Sequence, residues 1–545
     1  MHPHTTPPQS ARNRTLSGIA TSIALLLVLT TSAAAQNGRH SQPTFKTLHP
    51  AQLSPLEAAD SGPAASLTMA VIHADELGEA IRTWGQLRAA AEVAIAAAVR
   101  WDELRVRNLY PSSVNRSTHP VPRRSSNGKS FSPKDSSTAS GTRARRHHHS
   151  RRVRASQIFE GAVTTGASFP GAIGQYFVEL LVGTPQQSFF FIIDTGSDLV
   201  WIPCSLCQSC HSKQRNTNVL SALRRPIFHP EASSTFVPIA CSSEECTLIP
   251  PPPGDTCNPS SPTSCTYTYA YSDLSRTTGV FAYDAIAMKP TARFPRSRRL
   301  HSVAFGCGTN NTGPSITGQG GVLGLGRGPI SFSTQLGAFY GNKFSYCFPP
   351  FFHKKQRGLL VFGDGRRSMK LAEVLRFTPL LQTANEDTFY HLKVEAIKVN
   401  ERALHIKPSL LRMDSFGNGG FIIDSGTTLT FFTKPLFRAV YMEFKHNVVY
   451  PRAPPTAGLR LCYNVSGVSK PRFPRIAIVF AGGAVFRPPP RNYFLSPLND
   501  VRCLGFLSNE GASVLGNLMQ QNYYVEYDRH ENRLGFAKAH CSAND

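Results

Sequence analysis

The sequence predicts a mostly β protein built as two related lobes, and three observations carry that prediction. From about Gly174 onward, short runs rich in Val, Ile, Phe, Tyr and Thr alternate with Gly, Pro and Asn, as in QYFVELLVG, SVAFGCG, GLLVFGD, FYHLKVEAIKV, RIAIVF and YYVEYD. Such runs are the mark of antiparallel strands joined by tight turns. The region is about 370 residues long, more than one hydrophobic core comfortably serves. It also writes one phrase twice, FIIDTGSDLVW from Phe191 to Trp201 and FIIDSGTTLTF from Phe421 to Phe431, which points to duplicated lobes.

The segments before this region read in order. Arg12 and Arg14 precede an apolar stretch, Leu16 to Leu29, that ends on Ala33-Ala34-Ala35. That is the order of a secretory signal peptide, residues 1–35, cut after Ala35. The apolar core is too short to span a bilayer comfortably, which disfavours a membrane anchor. No later segment is long and apolar enough to cross a membrane, so the expectation is a secreted chain in the extracellular space (apoplast), cell wall or vacuole. Residues 36–156 read as a pro-segment. Its part at about 66–110 is rich in Ala, Leu, Glu and Arg without an internal Pro in LGEAIRTWGQLRAAAEVAIAAAVRWDELRVRNL, and is expected to be helical. The tract at about 111–156 is basic and polar. From Arg105 to Ser156, 13 basic residues stand against one acid, Asp135, a composition that cannot bury a core and is expected to be disordered. RARRHHHSRRVR, Arg143 to Arg154, has the look of a protease-sensitive junction, and its His147-His148-His149 run reads as solvated linker. The chain's formal charge of +24 invites a nucleic-acid reading, but neither aromatic stacking residues nor a recognised binding module accompanies the basic tract. Contact with acidic cell-wall polysaccharide, or a removable basic segment, fits better.

All 12 cysteines lie between Cys204 and Cys541. In an oxidising compartment they allow up to six disulfides within one folded region. Cys204, Cys207, Cys210 and His211 have spacing that suggests zinc, yet no second cluster of matching ligand spacing follows, so no metal is expected.

The repeated phrase carries the chemistry. Asp194-Thr195-Gly196-Ser197 and Asp424-Ser425-Gly426-Thr427 share one order: carboxylate, hydroxyl, glycine, hydroxyl. A carboxylate at the end of an apolar strand is costly unless something satisfies or uses it. Glycine permits the sharp turn and lets backbone N–H groups approach the carboxylate, and the hydroxyl three residues on can donate to its outer oxygen. A single such phrase is usually a turn after a strand. Two copies, each followed by a matching Leu-Gly segment, point to one site. Two carboxylates face to face share a proton, giving a base for water and an acid for the substrate, as peptide hydrolysis without a covalent intermediate requires. No cofactor is implied. The run Gly324-x-Gly326-x-Gly328 lacks the strand-to-helix context of a phosphate loop.

These motifs resemble the pepsin-type aspartic peptidases, specifically the plant nepenthesin-like group. GQYFVELLVGTPQQSFFFIIDTGSDLVWIPC is similar to the entry into that family's first lobe. GGVLGLGRGPISFSTQL and SVLGNLMQQNYYVEYDRHENRLGFA are similar to the hydrophobic-hydrophobic-Gly segments of the first and second lobes. VIHADE and VRWDELRVRNL resemble the group's degenerate pro-segment. The resemblance implies a bilobal fold of two antiparallel β lobes, residues 157–370 with a cysteine-rich insert and 371–545, with the active-site cleft between them. It implies a monomeric secreted endopeptidase, made as a zymogen, that acts on protein or peptide at acidic pH, with Asp194 and Asp424 holding the attacking water. It further implies the disulfides Cys204–Cys207, Cys210–Cys307, Cys241–Cys265, Cys246–Cys257, Cys347–Cys541 and Cys462–Cys503. The family's substrate flap reads Tyr-Gly-Asp-Gly-Ser; here Tyr271-Ser272-Asp273-Leu274-Ser275 has lost both glycines, which narrows the allowed backbone conformations and bears on flap mobility and subsite shape. Asn115, Asn310 and Asn464 begin N-x-S/T sequons and are expected glycan acceptors. Some plant relatives of this fold look like inhibitors of cell-wall glycosidases that have lost catalytic residues, so the alternative is a catalytically weak binding protein of the wall.

Overall fold

The apolar run before each repeated Asp is a strand, and each strand enters the same local arrangement. In the computed structural model, Gln187–Asp194 runs parallel to Gly320–Gly324, with Asp194 opposite Gly324. The chain turns after Asp194 and returns as Val200–Pro203, antiparallel to the same Gly320–Gly324. In the second half Phe421–Ile423 runs parallel to Ser513–Leu515, and Thr430–Thr433 returns antiparallel to it at Phe431 and Val514. Each Asp loop is therefore clasped over a third strand. The strand that follows continues outward in parallel, Val200–Pro203 along Arg299–Thr312 and Thr430–Thr433 along Phe506–Asn509.

The structure describes residues 95–100, 102–103, 158–166, 174–205, 227–254, 263–290, 298–313, 320–353, 356–365, 371, 373–383, 388–414 and 419–541. The expected signal peptide, the basic tract, the Arg143–Arg154 junction, Asn115, Cys207, Cys210, His211 and Cys257 lie outside them. Of the expected helical pro-segment, residues 95–100 and 102–103 are described, and these are helical. The two halves meet in one continuous sheet. Lys343–Cys347 pairs with Tyr523–Asp528, which pairs with Arg533–Lys538, which pairs with Arg376–Leu381. β-branched and aromatic residues suit these strands because they fill a pleated, buried surface. Phe344 stacks on Tyr527 at 4.5 Å and Tyr346 on Phe348 at 4.2 Å.

The second half adds two four-stranded sheets among the described residues and the helix Lys434–Asn447. Pro435 stands in the helix's first turn, where its missing N–H costs nothing. Leu436, Val440 and Phe444, spaced by four, are buried against the core, and Lys445 and His446 sit at the end that favours positive charge.

Two of the four disulfides among the described residues, Cys347–Cys541 and Cys462–Cys503, join the expected partners. The first-lobe pattern differs from expectation. The parallel register puts Ile202 opposite Cys307, so Cys204 at the strand's end lies beside it with Cα atoms 5.4 Å apart, and the bond is Cys204–Cys307. That replaces both Cys204–Cys207 and Cys210–Cys307. Likewise Cys246, in the short turn Glu245–Leu248, packs with Cys265, Trp201 and Tyr267 in one apolar cluster. Their Cα atoms are 5.7 Å apart and the bond is Cys246–Cys265, in place of Cys241–Cys265 and Cys246–Cys257. Both Cα separations are within disulfide reach. Cys241 is disulfide-bonded as well.

Candidate active site

The local folding of the two Asp loops depends on glycine beneath them. A Cβ on Gly324 would lie 2.3 Å from the carbonyl carbon of Asp198, and one on Gly516 would lie 2.0 Å from the carbonyl oxygen of Leu429. These are the glycines of the two Val-Leu-Gly segments, so each segment supplies the close backbone approach that seats one loop. The loops are also tied to each other. The Thr195 N–H donates to Ser425 Oγ at 3.0 Å, and the Ser425 N–H donates to Thr195 Oγ1 at 2.9 Å. The Ser425 hydroxyl in turn donates to the Ile193 carbonyl at 2.8 Å. The structure thus brings Thr195, Ser425 and the two aspartates, 230 residues apart, into one centre.

Within that centre the carboxylates are handled identically. Asp194 Oδ1 accepts from the Gly196 N–H at 3.0 Å and Oδ2 from the Ser197 hydroxyl at 2.6 Å. Asp424 Oδ1 accepts from the Gly426 N–H at 2.9 Å and Oδ2 from the Thr427 hydroxyl at 2.6 Å. Both side chains are buried, about 1% exposed. Donors on each oxygen compensate burial of charge. The arrangement holds two acid groups in fixed, matched orientations, the geometry in which one can take a proton while the other gives one.

The flap hairpin, Thr266–Ala270 and Arg276–Met288, reaches the first Asp loop through its tyrosines. The Trp201 indole N–H donates to the Tyr271 hydroxyl at 2.6 Å. Burial first, then the nearby Tyr269 and the negative charge of Asp194, push the Tyr271 phenol well above its ordinary value, so it stays protonated. With the oxygen already accepting from Trp201, its own O–H remains a donor. The Asp198 N–H donates to the Tyr269 hydroxyl at 3.0 Å, and the two tyrosine rings meet edge to face at 5.3 Å. At the turn, Asp273 is buried and accepts from the Ser275 N–H at 3.0 Å and the Ser275 hydroxyl at 2.9 Å. Leu274 adopts φ +70° and is 47% exposed, whereas Ser272 has no positive φ. Only the second lost glycine therefore places a side chain in left-handed backbone.

Sequence reasoning passed over three positioning residues. Gln520 Nε2 donates to the carbonyls of Leu515 at 3.0 Å and Asp424 at 3.3 Å, while its Oε1 accepts from Tyr346. Asn517 Nδ2 donates to the carbonyls of Ser425 and Gly174. Asp198 accepts from the Gly328 N–H and the Thr388 hydroxyl. The amides stand in GNLMQQ, directly after the second Val-Leu-Gly, and buried carboxamides at that place are the signal that could have found them. Of the sequons, Asn310 and Asn464 are both exposed.

Comparison with known proteins follows the same two halves. A family model described as Xylanase inhibitor N-terminal matches residues 176–364, and one described as Xylanase inhibitor C-terminal matches residues 389–538. Aspartic proteinase nepenthesin-1 of Nepenthes gracilis is 35% identical over 375 residues, covering 68% of this chain and 79% of that protein. Aspartyl protease family protein 2 of Arabidopsis thaliana is 34% identical over 387 residues, covering 70% of this chain and 74% of that protein. Among solved structures, edgp superposes with a TM-score of 0.56 at 21% identity, covering 70% of this chain and 95% of that one. Basic 7S globulin from soybean gives 0.54 at 20%, covering 71% and 98%. These two likenesses are of fold.

Proposed function

This chain belongs to the pepsin-like aspartic protease family of plants, and from that premise we propose that it is an aspartic endopeptidase, exported as a zymogen and active in acid. The observation that carries the reading is the matched pair of buried carboxylates, each held by one glycine N–H and one hydroxyl and joined through Thr195 and Ser425. A water between Asp194 and Asp424 loses a proton to the ionised carboxylate as its oxygen attacks the scissile carbonyl carbon. The protonated carboxylate gives its proton to the carbonyl oxygen. The tetrahedral species collapses as the C–N bond breaks: one of its hydroxyls returns a proton to the carboxylate that gave one, and the leaving nitrogen takes the proton held by the other carboxylate. The reaction needs one carboxylate ionised and the other protonated, so the rate should fall once both have lost their protons. Disulfide bonding of every described cysteine supports an oxidising compartment. Among the described residues no helix is long and apolar enough to cross a membrane.

The test is hydrolysis of a denatured protein from about pH 2 to about pH 8, with a pepstatin-type inhibitor and an Asp194→Asn variant alongside. We expect inhibitable cleavage in acid that drops roughly a thousandfold or more in the variant, the scale of positioned acid–base catalysis. A second reading, a binding protein on the same fold, is favoured by the family models' own descriptions, which name xylanase inhibitors, together with the altered flap. Absence of cleavage by folded, processed protein puts that reading first.

A further inference from the structure

The two-Asp centre does not account for Asp102. This residue belongs to the helical stretch upstream of the first lobe, and only 4% of it is exposed. The Thr428 N–H donates to its Oδ1 at 3.0 Å, and the Leu429 N–H donates to its Oδ2. These two amides follow directly on Thr427, whose hydroxyl holds Asp424. One side chain from outside the lobes therefore grips, with both oxygens, the loop that aims a candidate catalytic acid. The same helical stretch also docks by apolar contact. Ile95 and Val99 are each 4% exposed within the main core. Val99 lies over Gly458, where an added Cβ would come within 2.8 Å of Val99 Cγ1. Arg100 faces solvent. The anchoring residues thus fall at i, i+4 and i+7 of a helix, two apolar and one acidic, on a single face.

We propose that the successive N–H groups of Thr428 and Leu429 form a carboxylate-binding site on the second lobe, which Asp102 fills from within the uncleaved chain. Residues 95–100 and 102–103 then act as an internal ligand seated against the Asp424 loop. The site takes a helical peptide with two apolar anchors and an acid at this spacing. Charge-assisted bonds from two fixed amides favour a carboxylate over a neutral group. This rests on the reading of residues 36–156 as a removable pro-segment, and among the described residues the polar contact that stretch makes with the second lobe's Asp424 loop is made by an acid, Asp102.

The experiment uses the full chain with a specific protease site inserted between Ser126 and Asn127, cut after folding. A fluorescent peptide of residues 90–108 is added to the nicked protein and its exchange is followed by anisotropy. We expect the peptide to enter, and its Asp102→Ala form to need at least tenfold higher concentration. The Asp102→Asn form, which keeps one acceptor oxygen and no charge, falls between. Equal exchange of the parent and Ala peptides overturns the proposal. So does failure of any peptide to enter, because a stretch that never leaves is part of the fold and not a ligand. The substitutions sit in the peptide, so folding of the host is unaffected. Binding is read without catalysis, and an Asp194→Asn host gives the same result, so an inactive protein and an absent site remain distinguishable.

Discussion

Ser425 does three things with one hydroxyl group's surroundings: it receives the Thr195 N–H, gives its hydrogen to the Ile193 carbonyl, and offers its own N–H to Thr195. Ser425→Ala removes the first two and strands a buried donor and a buried acceptor. At about 1–3 kcal/mol for each such group, we expect a loss of roughly 2–6 kcal/mol by equilibrium denaturation, while Ser425→Thr, which keeps the hydroxyl, recovers most of it. Leu274 presents the opposite case, a residue whose own backbone is costly. A left-handed conformation costs a non-glycine residue roughly 1–2 kcal/mol, and Leu274, at φ +70° and 47% exposed, recovers little of that by burial. Glycine's extra freedom in the unfolded chain takes back about 0.5–1 kcal/mol. Leu274→Gly should therefore be neutral or stabilising by up to about 1 kcal/mol, and a clear destabilisation in thermal unfolding would show that the leucine side chain is held by contacts. A rise in KM for apolar substrates with kcat unchanged would mark Leu274 as a substrate contact.

At the scale of elements, the strand Tyr523–Asp528 joins the two halves, and a charge cluster sits at its end. Asp528 is buried, which raises its carboxyl, but hydrogen bonds from Lys343 and Arg533 outweigh that and hold it below the usual carboxylate range. Lys343 Nζ is 3.1 Å and Arg533 Nη2 3.0 Å from Asp528 Oδ2. A depressed folded-state value contributes stability that is present above the unfolded value, about 3.9 for Asp, and is lost as pH falls through the folded value. The cluster thus weakens in the acid range proposed for activity. Asp528→Asn should lower the urea midpoint at about pH 7, and the gap from the parent should shrink toward about pH 2. A gap independent of pH would mean that the residue acts through packing alone. The strands themselves were legible, since FIID, YYVEYD and RIAIVF became strands. The charge cluster was not, because Lys343 and Asp528 meet only through the register that sets Lys343 opposite Asp528 across the halves.

At the scale of the whole molecule, what could be read from the chain was whatever it states locally and twice. The duplicated Asp phrase and the duplicated Val-Leu-Gly appear as two copies of one clasp, because each needs only a strand, a turn and a glycine under the turn. Long-range partners were harder. Gln520, Asn517 and Asp102 carry no local pattern that says which carbonyl or amide they will face. Cysteine pairing was illegible for the same reason: Cys204 meets Cys307 because a parallel register 103 residues away puts it there. That pairing is open to direct test, since a non-reducing digest should yield one peptide pair joining Cys204 to Cys307. The last pair has an energetic consequence. Cys347–Cys541 closes a span of 194 residues and ties the end of the chain back to the strand Lys343–Cys347 of the interlobe sheet. On a chain-entropy count a loop that long restricts the unfolded state by roughly 5 kcal/mol. Replacing both cysteines by serine should lower equilibrium stability by about 3–5 kcal/mol. The loss belongs to the unfolded chain, so the folded double variant should keep its near-ultraviolet circular dichroism and, at low temperature, whatever acid cleavage the parent shows in the proposed assay. Loss of activity in a variant that still folds would mean instead that the covalent tie holds the two halves in register over the cleft.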